Sequence, residues 1–447
     1  MALSTTSNNQ QVVNARILAE MAVQFNIGAD ILGKGNRHVE KYLGAEKMSG
    51  DTVMVPIVGN GEVYDDLDLS DKDLSVSRDA VPVTVKPLTT AATVDQETLT
   101  LSIKNPEIMA KRVANMAMQA NVKAYKTLEA NAINTKVISS ADVKSAGAGY
   151  DGRSKIYDTL ALCEGSKLAG ETYGVVHPLA WSKLVAMFQG NYAPNDSKGD
   201  DLYKNELGEL GGIRWTKGQH LELVTGRTLT STVLTLNYSS VFAQDGYDVQ
   251  APAAVPSYAG PVGTGTAFTG AAKDLFGDDA EIGDLSLPFT LAGVYSTDIF
   301  GNSTGQLATF RLRKTGATSA ELAAPAFFEG PRKNVTSKDY NETTHVWTQS
   351  AESKVAGAIL QNGVDYLPPA VVWKRDDFLV AVKGLEKFYG CDSLTIPTSY
   401  REKGILPLRG LCWTDPVKAS TIFRVDVLMG MAAFTRTSIN SLYIQAN

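Results

Sequence analysis

Four histidines and three cysteines are the residues of this chain best suited to bind metals, move protons or attack carbonyls. His38, His177, His220 and His345 stand singly, and Cys163, Cys391 and Cys412 share no CxxC spacing. A structural zinc site needs four such ligands in close pairs, and a zinc peptidase helix needs HExxH. Neither occurs here, nor does the GxSxG turn that presents a nucleophilic serine in hydrolases. His177 sits before Pro178 with no acidic residue beside it to orient the ring. The sequence therefore gives no catalytic, cofactor-binding or metal-ligating residue, and the chain reads as a non-enzyme.

Two further stretches imitate binding motifs and fail on chemistry. Gly28-Ala29-Asp30-Ile31-Leu32-Gly33-Lys34-Gly35 comes within one position of a phosphate-binding loop. Gly35 stands where a Ser or Thr hydroxyl would hold magnesium, and the stretch follows a helical pattern rather than a strand. Asp65, Asp66, Asp68, Asp71 and Asp73 form an acidic run. A calcium loop opening at Asp66 would need glycine where Asp71 stands and glutamate where Ser77 stands. The run reads as a solvated acidic loop whose charge serves contacts with a basic neighbour.

Composition narrows the field further. Hydrophobic residues make up 44% of 447 and charged residues 20%, which suits a folded chain with a sizeable core and more than one domain. Acidic residues outnumber basic ones by 48 to 42. That balance argues against a sequence-wide grip on nucleic acid and against polybasic membrane docking. No apolar run approaches the roughly 18–20 residues that span a bilayer. Met1 to Gln11 lacks the charged and apolar regions of a secretion signal. With an odd number of cysteines, a reducing compartment is expected. The sequons at Asn195, Asn237, Asn302, Asn334 and Asn341 then read as chance.

The elements that would position these residues follow from periodicity. Val13, Ile17, Met21 and Phe25 share one face of a helix over residues 12–25, whose apolar side needs a docking partner. TVMVPIV (52–58), AVPVTVKPL (80–88) and TLTLSI (98–103) read as strands around the acidic run. Asn105-Pro106-Glu107 is a strong helix start. The helix continues to about Ile133, with Met109, Val113, Met116, Ala120, Ala124 and Leu128 as its core stripe. Helices over 154–168 and 179–188 flank a strand at 172–178. From 221 to 345 short alternating strands dominate, with 13 acidic and 8 basic residues. The mixed pattern then resumes. The tail, 420–444, reads as two strands with a bend at Gly430.

This order of parts resembles the major capsid proteins of tailed bacteriophages with the Hong Kong 97 fold, and within them the P-22-type coat proteins that carry an inserted β domain. The residues that carry the resemblance are the acidic excursion between strands, the Asn-Pro-Glu helix, and the tail GILPLRGLCWTDP…FRVDVLMGMAAFTR. The resemblance implies an α+β fold divided as follows: an N-terminal arm (1–50), an E-loop with flanking strands (51–103), a spine helix of the peripheral domain (104–135), a first axial part (136–220), an inserted β-rich domain (221–345) and the axial and peripheral remainder (346–447). It implies a structural subunit without cofactors that self-assembles, as hexamers and pentamers, into an icosahedral shell. Scaffolding protein, portal and non-specifically held double-stranded DNA would be its partners, with no membrane. It would be assembled in the host bacterial cytoplasm and reside in the virion. The contact candidates are Asp65, Asp66, Asp68, Asp71, Asp73, Val13, Ile17, Met21 and Phe25. Two alternatives stay open: an encapsulin-like nanocompartment, and a β-rich extracellular adhesin-like protein. The insert is expected to fold semi-independently.

Overall fold

The computed structural model describes residues 25, 30–36, 48–49, 52–58, 78–95, 105–144, 152–188, 209–218, 223–229, 233–235, 237–241, 253–257, 263–264, 267–268, 270–328, 330–338, 340–341, 346–347, 352–383, 392–395, 408–415 and 420–446. Helices and sheets are mixed along the chain. Two compact units are present: residues 1–55, 82–125 and 379–432 form the first, and residues 56–81, 126–378 and 433–447 the second.

The first unit is organised by one long strand. Ser420–Ala433 pairs antiparallel with Lys86–Asp95 in unbroken register from Ser420↔Asp95 to Met429↔Lys86. Arg409–Asp415 pairs with it as well, antiparallel, and Phe378–Lys383 and Asp392–Thr395 complete five strands. Asp426 is fully buried within this sheet and would carry an uncompensated charge on its own. Arg409, its direct cross-strand partner, donates to it at 2.7 Å, and Arg424 donates at 2.7 Å from two residues away. The expected bend at Gly430 is absent: the strand runs straight through it. A Cβ there would lie 2.7 Å from the Thr84 carbonyl oxygen and 3.0 Å from a Val83 methyl. Glycine serves close approach of two backbones here, not a turn.

The long helix spans Asn105–Asn131. Val113, Met116, Ala120, Ala124 and Leu128 are all buried, as their spacing requires, while the Met109 side chain lies outside the described residues. The helix stops two residues short of Ile133. Residues Asn134–Ile138 form a strand instead, parallel to Asn440–Ile444.

The second unit is layered. Its central sheet has six strands, in the order Asn134–Ile138, Asn440–Ile444, Ala370–Lys374, Thr172–Val176, Ile213–Lys217, Glu209–Leu210. Asn440–Ile444 is buried at all five positions, and its side chains alternate between two cores. Leu442 and Ile444 pack with Ile156, Cys163, Trp181 and Leu184 of the helices Gly152–Gly165 and Pro178–Phe188. Tyr443 packs with Phe289, Phe310 and Phe328 of the β-rich segment. With both faces covered, the strand's apolar residues Leu442, Tyr443 and Ile444 run consecutively instead of alternating with polar ones.

The β-rich segment builds a second five-stranded sheet from Val233–Thr235, Phe289–Thr297, Ser303–Phe310, Val335–Ser337 and Glu352–Ala358. The last strand begins seven residues past 345, where a return to mixed structure is expected. The core under this sheet includes Ile133, Leu360, Tyr366 and Tyr443, all from outside 221–345. The strands Ser303–Phe310 and Leu312–Lys314 are separated by the single residue Arg311, whose side chain is buried.

Candidate functional site

The densest polar constellation among the described residues lies where the chain turns between its last two long strands, in the second unit. Asp377 belongs to a short 3-10 turn, Arg375–Asp377, and is fully buried. Its Oδ1 accepts the Thr435 N–H at 2.7 Å, the Thr435 hydroxyl at 2.9 Å and the Arg436 N–H at 2.9 Å. Its Oδ2 accepts the Ser438 N–H at 2.9 Å and the Ser438 hydroxyl at 2.8 Å. One carboxylate thus organises the whole Thr435–Ser438 turn.

Arg436 takes left-handed backbone there, with φ 62°, a conformation that costs a non-glycine residue energy and persists only when its surroundings impose it. Its buried guanidinium donates to the carbonyl oxygens of Asn131, Ala132, Thr309, Ala324 and Pro325 at 2.9–3.5 Å. Burial pulls its pKa down to about 10, against the opposing pull of Asp377. Asn131 and Ala132 are at the end of the long helix, where unpaired carbonyls carry partial negative charge. A cation from the tail therefore caps that helix.

A second network continues along the same strand. Asn134 Nδ2 donates to Asn440 Oδ1 at 2.8 Å, and the Ser296 hydroxyl donates to Asn134 Oδ1 at 2.9 Å. Asn440 Nδ2 also reaches the Cys163 sulfur at 3.0 Å, and the Cys163 thiol donates to the Ser438 carbonyl at 3.2 Å. Burial pushes that thiol up to about 12, so the thiolate a nucleophile needs is suppressed. Arg311 donates to Glu129 at 2.8 Å and to the Tyr443 hydroxyl, and burial raises the Tyr443 pKa. The hydrogen bonds of these networks all run between parts of the same chain. Their chemistry is to fix geometry.

An open cleft of about 370 Å³ lies beside this core, lined by Lys136, Asp158, Leu162, Asp298, Asn302 and Gln306 among others. Asp298 is its buried acid. Burial raises its pKa, but the Lys167 ammonium at 2.9 Å and bonds from Asn302 outweigh that and hold it low. A carboxylate so engaged is a poor base and a poor metal ligand. Among the described residues, no three His, Cys, Asp or Glu side chains converge as a metal site, and no helix is long and apolar enough to cross a membrane.

Of the contact candidates, Val13, Ile17 and Met21 and the five aspartates 65, 66, 68, 71 and 73 lie outside the described residues. Phe25 is fully buried. In the stretch that imitates a phosphate loop, Asp30–Gly33 form one helical turn and Lys34 pairs with Asp30 at 3.4 Å. His177 precedes the helix Pro178–Phe188 and accepts the Leu179 N–H on Nδ1 at 3.2 Å, acting as its cap. His38, His220 and His345 lie outside the described residues. Asp377 and Arg436 were not singled out by sequence reasoning. The signal available was the polar run Thr435-Arg436-Thr437-Ser438 between two apolar strands.

No protein-family model and no curated protein matches the chain. Its structure is similar to solved structures of phage origin. The capsid structure of cyanophage P-SCSP1u aligns at 10% identity with TM-score 0.40, over 89% of this chain and 84% of that one. A Mycobacterium phage Che8 structure aligns at 10% identity with TM-score 0.39, over 92% and 89%. The capsid of Ralstonia phage GP4 aligns at 7% identity with TM-score 0.38, over 92% and 86%. Superposition at that level does not transfer residues.

Proposed function

We propose that this chain is the major capsid protein of a tailed bacteriophage, a structural subunit with no reaction to catalyse. The observation that supports this most is the pairing of Lys86–Asp95 with Ser420–Ala433. It places a long strand next in sequence after the strand pair Thr52–Val58 and Arg78–Thr84, and just before the 27-residue helix. That is the sequence of E-loop, long strand and spine helix that the Hong Kong 97 resemblance calls for. The segment between the two shorter strands carries the acidic run and reads as an excursion serving a neighbour rather than its own core. The turn centred on Asp377 and Arg436 gives rigidity, which a subunit needs when many weak contacts must add up over a closed surface.

In this reading the chain forms hexamers and pentamers of an icosahedral shell, built with a scaffolding protein and a portal. The shell encloses double-stranded DNA, which the inner face holds non-specifically. The β-rich segment from 221 to 345 is its inserted domain. Negative-stain electron microscopy with sedimentation velocity, on the chain expressed alone and with its neighbouring genes, tests the reading. Closed shells or curved sheets are expected in at least one preparation. A stable monomer or small oligomer in both would overturn it.

A further inference from the structure

Among the described residues, the most exposed bulky apolar side chain is Ile282, 71% open to solvent. It stands in the loop Gly277-Asp278-Asp279-Ala280-Glu281-Ile282-Gly283-Asp284, between the helix Gly270–Phe276 and the strand Phe289–Thr297. The Asp284 N–H donates to the Glu281 carbonyl at 3.1 Å and Gly283 has φ 99°, so Ile282 and Gly283 form the apex of a type II turn. The third position of such a turn demands glycine; the second takes nearly any residue, so the turn itself does not call for isoleucine. Leu275, Phe276 and Leu287 on either side enter the core and Ala280 packs against it, without Ile282. The loop is also tied down around the apex. Lys314 Nζ donates to the Ala280 carbonyl at 2.6 Å and the Gly283 N–H to the Lys314 carbonyl at 2.8 Å. The Glu281 N–H donates to the Asp284 carboxylate at 2.7 Å. The loop carries four acids and no base. The cations near it sit at its base: Lys273 pairs with Asp278 at 3.4 Å, Lys314 holds Ala280, the Arg227 guanidinium lies against Gly277, and Arg313 is cross-strand from Glu321. Asp279, Glu281 and Asp284, which flank Ile282, have no ion pair among the described residues.

We infer that Ile282 and the acids around it anchor a contact with a second copy of the chain, which receives the side chain in a small apolar pocket rimmed by Lys or Arg. The inference rests on the shell reading and deepens it by naming one of its contacts. An apolar side chain ringed by charge has the make-up of an interface anchor: its burial supplies affinity, and the rim selects a partner of opposite sign. The hydrogen bonds that hold the turn leave little loop entropy to be lost on binding. The charge also decides the symmetry. Tip against tip across a two-fold axis would crowd the acids of both copies together, so the tip of one copy must meet a different surface of the next. Head-to-tail contacts of that kind generate rings and extended arrays, as capsomers require. In a shell each subunit is surrounded by its own copies, so the partner at hand is the chain itself.

Full-length variants test this. Ile282→Ser changes a side chain that already faces water, so its monomer melt is expected to match the unchanged chain, while the protein concentration needed for shells or curved sheets rises about tenfold. Ile282→Val keeps an apolar anchor and is expected to assemble within about twofold of the unchanged chain. Asp279→Asn with Glu281→Gln leaves the bond from the Glu281 N–H to Asp284 in place. That pair is expected to raise the concentration about threefold at roughly 0.05 M salt and to lose its effect by roughly 0.5 M. Ile282→p-benzoylphenylalanine, mixed with excess unchanged chain and irradiated during assembly, identifies the partner. The expected product is a covalent dimer of the chain, cross-linked at a peptide that contains Lys or Arg and lies outside 277–284. Assembly of Ile282→Ser at the unchanged concentration would overturn the inference, and so would a lowered monomer melt, because the side chain would then serve its own core. A cross-link to 277–284 of the second copy, a cross-link to a different protein, or none at all would overturn it too. Failure of the unchanged chain to assemble would instead defeat the shell reading itself, and the inference with it.

Discussion

Asp377 accepts the backbone N–H of Arg436 at 2.9 Å, while the guanidinium of Arg436 is bonded to five carbonyl oxygens from other parts of the chain. The two residues are tied at the backbone and divide the work at the side chain. Asp377 fixes the turn that forces Arg436 into left-handed backbone, and that backbone delivers the cation to the end of the long helix. Both charges are buried, so neither is tolerable without the other's field and its own hydrogen bonds.

Removing the carboxylate should therefore cost more than the loss of a turn. Asp377→Ala leaves three N–H groups and two hydroxyls short of an acceptor and a guanidinium without its counter-charge, and a loss of about 3–5 kcal/mol is expected. Urea unfolding of the full chain measures it. Arg436→Lys keeps the charge but cannot reach five carbonyls with one ammonium, so it should also destabilise strongly. A loss below about 1 kcal/mol for Asp377→Ala would mean that the turn holds itself without the carboxylate.

Gly430 gives a sharper steric test. Its backbone does not need positive φ, so alanine would be tolerated if space allowed, but the nearest atom is the Thr84 carbonyl oxygen, 2.7 Å from the new Cβ. Backbone cannot rotate aside as a side chain can. Gly430→Ala is expected to cost about 1–3 kcal/mol through overpacking. Gly33→Ala, with nothing within 4 Å of its Cβ, is the control and should leave the melting temperature unchanged or slightly raised.

The contrast between these positions shows what could be read from sequence. The stripe Val113, Met116, Ala120, Ala124, Leu128 was legible because helix periodicity is local. The end of that helix was not, because the residue that caps it, Arg436, lies 305 positions from Asn131. Gly430 was misread as a bend because glycine commonly marks turns, whereas here the demand came from Thr84 on another strand. The β-rich texture of 221–345 was plain, but not that Tyr443 and Ile133 would fill its core, since nothing local distinguishes a tyrosine facing one layer from a leucine beside it facing another.

That shared core bears directly on whether the β-rich segment can stand alone. A fragment of residues 221–345 lacks the strand Glu352–Ala358, which pairs with both Phe289–Thr297 and Val233–Thr235, and lacks Ile133, Leu360, Tyr366 and Tyr443 beneath. It would expose the inner faces of Phe289 and Phe310 to water. No cooperative melt is expected for 221–345 by calorimetry. A cooperative transition in that fragment would restore the semi-independent module suggested by the sequence.

His177 makes stability depend on pH over a window of its own. Neutral Nδ1 accepts the Leu179 N–H at 3.2 Å at the start of the helix Pro178–Phe188. Protonation would turn that acceptor into a donor and set a positive charge against the positive end of the helix. Burial already disfavours the charged ring and lowers its pKa below the usual 6.5. The unfolded chain therefore binds a proton at His177 more readily than the folded one. Stability from this group is complete above about pH 6.5 and is lost as pH falls through the lowered folded value. Asp142 and Asp298 are also held low, and their contribution is lost only at more acidic pH, below the ordinary carboxylate range. Asn at this position caps a helix without titrating. The melting temperature of the unchanged chain should fall between about pH 7.5 and pH 5.5, and His177→Asn should remove most of that fall. The same change at His38, His220 and His345 together is the control. If that triple variant removes the fall and His177→Asn does not, the acid-sensitive cap is elsewhere in the chain.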